Sequence, residues 1–508
     1  MKNAESSRIL RMRILSAHTV YVFAYEQCRK NAWIKRLTSV CGCGKITVVI
    51  LAGGAKAYMK LKGKHRMSIW RYLALGYLFV IMLGSVLLVL PFAAQEGQTT
   101  SYINALFTSA SATCVTGLAP YDTNTHWSMF GKAVILILIQ TGGLGFMTFV
   151  SVLLMMFRRG LGLYERKVVM QSYGGQLSGI KGLVKRIVIG SLACEFVGAL
   201  LLSIRFIGDF GWGTGCWYAV WHSVSAFCNA GFDLMAGTHG GHLLSLGYYA
   251  TDPLVSLTIC GLIIIGGIGF CVWEDVISCR GNIKKFHFYT KLILFANALL
   301  LAVSTVLYMI FEWNNVSYSG YNFGQKLLCS FFNASTTRTA GFTTTDPRTF
   351  SESGYLLNVI LMFIGGSSGS TAGGIKVSTF VILIMGMLAA LGGSRDINVG
   401  KRRIEFTTVR QAFAIFIAYL SIILVAVMTI CAFEPALTFK EVLFECVSAL
   451  GTVGQSLALT PRLGTAAKLI IIVMMYAGRV GIITLVLALR TRKKEAQVRN
   501  PVETPFVG

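Results

Sequence analysis

The chain repeats itself four times, and no other feature constrains its fold as strongly. Four nine-residue stretches align without a gap on a terminal glycine: "SASATCVTG" at Gly117, "SVSAFCNAG" at Gly231, "NASTTRTAG" at Gly341 and "CVSALGTVG" at Gly454. A serine stands six residues before each glycine, at Ser111, Ser225, Ser335 and Ser448. A second register follows downstream in "TGGLGF" (141–146), "IGGIGF" (265–270), "IGGSSG" (364–369) and "YAGRVG" (476–481). From the first glycines to Gly143, Gly267, Gly366 and Gly478 the separations are 26, 36, 25 and 24 residues. The long second spacing comes from the loop "MAGTHGGHLLSLGYYATDP". Two registers in step mean four homologous units.

Composition supplies the solvent. The chain is 54% hydrophobic and 13% charged, with a mean hydropathy of +0.65. Runs such as "WRYLALGYLFVIMLGSVLLVLPF" and "ILFANALLLAVSTVLYMIF" are long enough to cross a bilayer. The net charge of +25 would suggest nucleic acid in a soluble chain, but its position excludes that partner. Lys and Arg cluster between apolar runs, around Arg158–Arg186, Arg280–Lys291, Arg395–Arg410 and Arg490–Lys494. The intervening segments carry acids: Glu96, Asp122, Asp209, Asp233, Asp252, Asp346 and Glu352. The positive-inside rule makes the basic segments cytoplasmic, with both termini, in a multi-pass protein of the cell membrane.

Each unit reads as an outer helix, a short re-entrant helix, an extended loop carrying the glycine, and an inner helix. Short amphipathic stretches such as "YINALFTSA" and "FKEVLFECV" supply the re-entrant helices. Outer helices are expected near 69–92, 184–206, 290–312 and 410–433, and inner helices near 131–157, 253–277, 355–391 and 466–490. The fold class is an all-α integral membrane protein, with four M1–pore helix–M2 repeats in one chain around a pseudo-fourfold, potassium-channel-like pore. Its parts are repeats at 67–160, 184–277, 288–392 and 406–492, a basic extension at 1–66 and a tail at 493–508. The extension holds fourteen Lys and Arg against two acids, and its run "ITVVILA" is too short to span. It is either an arm on anionic lipid, or a disordered extension or upstream start ahead of Met67.

Chemistry of the enzymic kind finds no footing. The thirteen cysteines form no CxxC pair, and there is no HExxH, nucleophile elbow or complete Walker motif. "CGCG" (41–44) and "THGGH" (238–242) are weak metal-binding patterns. No covalently bound cofactor is expected.

Four re-entrant loops in one chain can converge on an axis, where non-helical backbone is tolerated because it lines a watery path. Backbone carbonyls there can replace the hydration shell of a cation, as in a potassium channel filter. Glycine opens φ values closed to other residues, and the negative end of a short helix adds to the attraction. The expected filter is Val115, Thr116 and Gly117; Asn229, Ala230 and Gly231; Thr339, Ala340 and Gly341; and Thr452, Val453 and Gly454. Four tight extracellular turns are the bland alternative.

"SATCVTGL", "SAFCNAGF", "NASTTRTAGF", "SALGTVGQS" and "GGSSGSTAGGIK" resemble the KtrB/TrkH/HKT superfamily of potassium transporters over about residues 67–492. The resemblance implies potassium as the cargo, held by filter carbonyls, and a homodimer with one pore per subunit. All four filter glycines match the potassium-selective pattern of the superfamily. The chain lacks two further N-terminal spans of the Trk branch and looks more like the Ktr branch. That implies sodium-stimulated uptake and a cytoplasmic KtrA-type ring that binds the nucleotide (ATP or ADP), with proton-coupled or uncoupled Trk-type uptake as the alternative. The basic extension and Gln455, where the family more often has an apolar residue, depart from the pattern. Gln455 either alters the outer filter or faces solvent.

"FIGGSSGSTAGGIK" (363–376) interrupts an apolar inner segment with ten residues that almost lack large side chains. The expected intramembrane gate is Gly365, Gly366, Ser367, Ser368, Gly369, Ser370, Thr371, Ala372, Gly373 and Gly374, with Lys376 and Arg479. A helix-packing patch is the alternative, and it also accounts for "TGGLGF" and "IGGIGF". A nucleotide-binding membrane protein, with phosphate on this loop, is the rival from another class. Arg479 aligns with Ser367 and either projects below the filter onto the gate or pairs with Glu195, the one acid deep in an apolar run. Glu195 is a structural partner or a cation site. Arg338 is expected to tie its filter loop to pore-helix carbonyls, and Asp233 to concentrate cations at the mouth or to be an ordinary surface acid.

Overall fold

The computed structural model describes residues 47–49, 58–60, 68–145, 148, 151, 180–235, 238, 245–394, 396–399 and 402–489. Two units separate, Met1–Met67 and Ser68–Gly508. In the first, Thr47–Val49 pairs antiparallel with Tyr58–Lys60, so part of "ITVVILA" is a short strand. The rest of the basic extension, the end of the first inner segment, "THGGH" apart from Thr238, and the tail lie outside the described residues.

The second unit is built from helices, with one short antiparallel strand pair, Ile397–Val399 and Arg402–Ile404. Four are long and apolar enough to cross a membrane: the outer helices Ile69–Val89, Ile180–Phe210, Phe288–Phe311 and Phe406–Phe433. Each leaves large apolar side chains uncovered, including Phe79, Phe196, Phe295 and Met428, all at least 64% exposed. Side chains of that kind on all four outer helices face lipid rather than water.

Four shorter helices tuck inside: Tyr102–Cys114, Trp212–Phe227, Phe323–Thr336 and Phe439–Gly451. At 13 to 16 residues they reach about 20–24 Å, short of the hydrocarbon core. Their starts are written locally. Ser101 caps the first, and Asn322–Gln325 and Thr438–Glu441 form capping boxes on the third and fourth. Their filter-side turns are buried, from Phe107 to Cys114 in the first and from Phe444 to Gly451 in the fourth.

Outer and re-entrant helices are clamped in the same way in the first two repeats. Ser109 Oγ donates to Ile81 O at 2.7 Å, and Ser223 Oγ donates to Glu195 O at 2.5 Å. A Cβ on Gly84 would lie 2.4 Å from Ser109 Oγ, and one on Gly198 would lie 2.6 Å from Ser223 Oγ. Glycine lets the helix backbones approach that closely.

Two inner segments bend sharply where one continuous helix is expected. Pro253–Ile268 turns by 91° into Phe270–Ser278, and Thr465–Val480 turns by 96° into Ile482–Leu489. The turns fall at Gly269 (φ +106°) and Gly481 (φ +87°), which lack the Cβ that makes such backbone costly. In the first repeat Met129–Gly143 ends just before Gly145 (φ +80°). In the third, Glu352–Phe363 and Val377–Leu391 are separated by the glycine-serine loop. The second-register glycines therefore end helices as well as pack them.

Candidate functional site

The four first-register glycines meet in a ring. A Cβ on Gly117 would lie 2.5 Å from Ala230 O, and one on Gly231 would lie 2.5 Å from Ala340 O. One on Gly341 would lie 2.4 Å from Val453 O, and one on Gly454 would lie 2.0 Å from Thr116 O. Each glycine faces the carbonyl that precedes the next repeat's glycine, and the fourth closes on the first. Four unrelated turns would not close in chain order.

The backbone alternates in hand along each segment. Val115, Asn229, Thr339 and Thr452 have φ of 57°, 57°, 75° and 52°, and the glycines two residues on have 91°, 68°, 82° and 93°. Alternation keeps successive carbonyls on one side of the chain, where a strand would alternate them. Four non-glycine residues in the left-handed region store about 1–3 kcal/mol each, held by their surroundings.

The register serine has a job, and it is not the same in every repeat. Gly117 N donates to Ser111 Oγ at 3.1 Å, and Gly454 N donates to Ser448 Oγ at 3.0 Å. In the second repeat Ser225 Oγ instead donates to Phe232 O at 2.8 Å. In the third, Thr336 Oγ1 makes that bond, to Phe342 O at 2.7 Å, while Ser335 Oγ turns back to Phe331 O. The backbone turn slips with it: Thr116 N, Ala230 N and Val453 N donate to the carbonyl of the register serine, whereas in the third repeat Gly341 N donates to Thr336 O.

Below the ring, Gly142, Gly266 and Gly478 touch the ends of the re-entrant helices. Their Cβ positions lie 2.0, 2.0 and 2.1 Å from the carbonyls of Thr113, Phe227 and Leu450, each four residues before a filter glycine. The third repeat breaks the pattern: at Gly365 the nearest atom is Gly373 O, 2.2 Å away, in its own loop.

That loop closes at its neck through Gly365 N to Ile375 O (2.9 Å) and Val377 N to Gly366 O (3.0 Å). Ser367 N and Thr371 N donate to Gly267 O and Gly266 O at 3.0 and 3.3 Å, and Phe270 N donates to Gly369 O at 2.9 Å. Ser368 Oγ lies 3.1 Å from Ser378 Oγ, and Ser370 Oγ donates to Ser367 O at 2.7 Å. On the opposite side a Cβ on Gly373 would lie 2.1 Å from Thr452 Oγ1, and one on Gly374 would lie 3.1 Å from Gly451 O. The loop therefore lies directly under the filter. Lys376 Nζ donates to Ala372 O and Gly373 O at 2.7 and 3.3 Å, occupied by its own loop rather than held out for a phosphate.

Arg479 joins three repeats. Its guanidinium donates to Thr371 O in the loop and to Gly142 O and Gly143 O of the first inner helix, the last at 3.2 Å. The alternative pairing with Glu195 is not formed. Glu195 instead accepts from Gln140 Nε2 at 2.9 and 3.2 Å. Arg338 also differs from expectation: it donates to the side chain of Asn297 on the outer helix of its repeat, not to pore-helix carbonyls. The re-entrant helix continues through Thr336 before Arg338 begins, which carries the side chain outward. Asp233 is half-buried just beyond the second filter segment, and its carboxylate accepts from Met235 N at 3.0 Å. Gln455 is 1% exposed, so it does not face solvent, and its Oε1 has no partner among the described residues.

Asn297 and Gln140 are the site residues that sequence reasoning passed over. Each is an amide in an apolar run, "LFANALLL" and "ILILIQTGG", and a polar side chain at membrane depth signals a partner. Among the described residues no group of three or more His, Cys, Asp or Glu is placed to hold a metal.

The sequence profile of a family described as "TrkH: Cation transport protein" matches residues 46–498. The chain is 40% identical over 438 residues to "Ktr system potassium uptake protein B" of Bacillus subtilis, covering 86% of this chain and 96% of that one. It is 38% identical over 456 residues to "Potassium/sodium uptake protein NtpJ" of Enterococcus hirae, covering 89% and 99%. The crystal structure of the potassium transporter TrkH from Vibrio parahaemolyticus superposes with a TM-score of 0.63 at 22% identity, covering 82% of this chain and 85% of that one. That likeness establishes the shared fold.

Proposed function

Because this chain belongs to the TrkH family of cation transport proteins, we propose that it carries potassium across the cell membrane through the ring at Gly117, Gly231, Gly341 and Gly454. The carrying observation is the closed ring: each glycine abuts the next repeat's carbonyl, so the path is bounded by backbone oxygen. Dehydrated potassium trades water for carbonyl dipoles there, and no charged side chain is required. The 364–376 loop and Arg479 act as the gate. A fixed positive charge and a plug of backbone below the filter oppose a cation until the loop moves aside. Transport needs no covalent step, so the chain is not an enzyme, and no bound cofactor takes part.

The basic segments between spans support a multi-pass chain with both termini cytoplasmic. The relatives named for a Ktr system support a multi-component assembly. In it the chain forms a homodimer in lipid, sodium stimulates uptake, and a cytoplasmic KtrA-type ring holds the ATP or ADP. A second reading has sodium as cargo as well, and the name of the Enterococcus relative, a potassium/sodium uptake protein, favours it.

The test is potassium uptake by cells lacking their own uptake systems, expressing this chain with a KtrA-type partner, with and without sodium. Gly231→Ser runs alongside, because its side chain would press on Ala340 O. Sodium-stimulated uptake whose selectivity the substitution weakens is expected. Sodium-independent uptake moves the chain to Trk-type behaviour, and no uptake from inserted protein overturns the reading.

A further inference from the structure

One chain of side chains connects the filter to the loop beneath it. Arg338 stands three residues before Gly341, and its guanidinium donates to Asn297 Oδ1. Asn297 Nδ2 donates to Ile293 O at 2.7 Å and to Ser367 Oγ at 3.2 Å. Ser367 is fully buried in the loop, and its own N–H is fixed on Gly267 O. The charge of Arg338 sets the direction of this chain. A guanidinium has no acceptor, so the amide oxygen of Asn297 must face it and the amide nitrogen must face Ser367.

A small cavity of about 10 Å³ lies at the junction, bordered by Ile263, Gly267, Asn297, Ser335, Arg338 and Gly366. That is the room of about one water. Arg338 Nε is buried with no acceptor among the described residues, and it borders this cavity.

We propose that Arg338–Asn297–Ser367 is a strut through which the position of the loop sets the geometry of the third filter segment, with Asn297 as its positioning residue. The inference rests on the reading of the loop as a gate and adds a consequence to it. When the loop moves aside, the 3.2 Å contact between Asn297 and Ser367 is the link that breaks, because Asn297 is anchored in a helix. Asn297 then keeps only Ile293 O as a partner for its amide nitrogen, and its hold on Arg338, three residues from Gly341, loosens. Only the third repeat is built this way among the described residues: the positions equivalent to Arg338 are Cys114, Cys228 and Gly451. Selectivity therefore depends on the loop through one quarter of the ring.

The experiment measures the sodium-to-potassium uptake ratio and the maximal rate for the full chain with Ser367→Ala, Asn297→Ala, both together, Asn297→Asp, and Arg479→Ala. Each single strut variant is expected to raise the sodium share up to about tenfold, the scale of one buried hydrogen bond. The double variant should exceed neither by more than about twofold, since both cut the same chain. Asn297→Asp keeps an acceptor for Arg338 and should restore most of the selectivity that alanine loses. Ser367→Ala that alters rate but not selectivity overturns the strut, as does a double variant equal to the product of the singles. Should Asn297→Ala fail to insert, Ser367→Ala against Asn297→Asp carries the same comparison. Arg479→Ala reports on the gate separately: an unchanged rate there refutes the gate, while the selectivity pattern still judges the strut.

Discussion

The filter and the plane just beneath it are built on opposite plans. In the filter the four repeats do the same thing, each glycine backing onto the next repeat's carbonyl. One layer lower they diverge. The first contributes the carbonyls of Gly142 and Gly143, the second those of Gly266 and Gly267, the third a whole loop and the fourth a guanidinium. Coordinating a spherical ion calls for equivalent dipoles around it. Obstructing the same path calls for one bulky element and something to hold it, which symmetry would hinder.

Substitutions that respect one plan and violate the other test this contrast. The largest effect belongs to the ring. Gly454→Ala places a methyl 2.0 Å from Thr116 O at a φ of +93°, so potassium-over-sodium discrimination should fall roughly hundredfold in competitive uptake. Normal discrimination in that variant would break the ring as a description of the filter. Next comes the unequal layer. Arg479→Ala removes the clamp between Thr371 O and the first inner helix, and maximal flux should rise about tenfold with little change in selectivity. A fall in flux would show that the arginine helps conduction rather than opposing it.

A matched pair sharpens the comparison further. Gly478→Ala presses on Leu450 O of its own repeat's re-entrant helix, and Gly365→Ala presses on Gly373 O inside the loop. The first should destabilise the purified protein by about 1–3 kcal/mol, read as a lower thermal midpoint. The second should change flux more than midpoint. Equal midpoint losses would mean that the loop is as much part of the frame as the helices are. The smallest effect lies at the mouth. Burial pushes the Asp233 carboxyl up to about 6, so its negative charge is present above that pH and is lost as the pH falls through it. Uptake at low potassium should decline from pH 7 to pH 5, and Asp233→Asn should flatten that decline while raising KM about twofold.

Much of this was legible in the chain itself. The gapless registers on Gly117, Gly231, Gly341 and Gly454 carry the fourfold pattern, because backbone geometry, not side-chain chemistry, fixes those positions. The loop was legible for the same reason, since glycines and serines at membrane depth cannot be ordinary helix. What escaped notice depends on direction rather than on spacing. A glycine pair in an apolar run looks the same whether the helix continues or turns by 91°, and only the φ of Gly269 decides. The slip from Ser335 to Thr336 is hidden because both are small hydroxyl residues, and only the backbone turn that closes on Thr336 O chooses between them. Arg338 differs from expectation because sequence distance places it beside the pore helix while the chain's path turns it toward Asn297.

The covalent joining of the repeats has a further consequence. A ring assembled from four separate identical subunits would carry four copies of the Gly365–Gly374 loop or none, and four would collide on the axis. Synthesis as a single polypeptide relaxes that rule, so one quarter can be rewritten while the other three are left alone. The arrangement also makes dosage indivisible: every molecule carries one loop and one arginine, in the same two quarters of every pore.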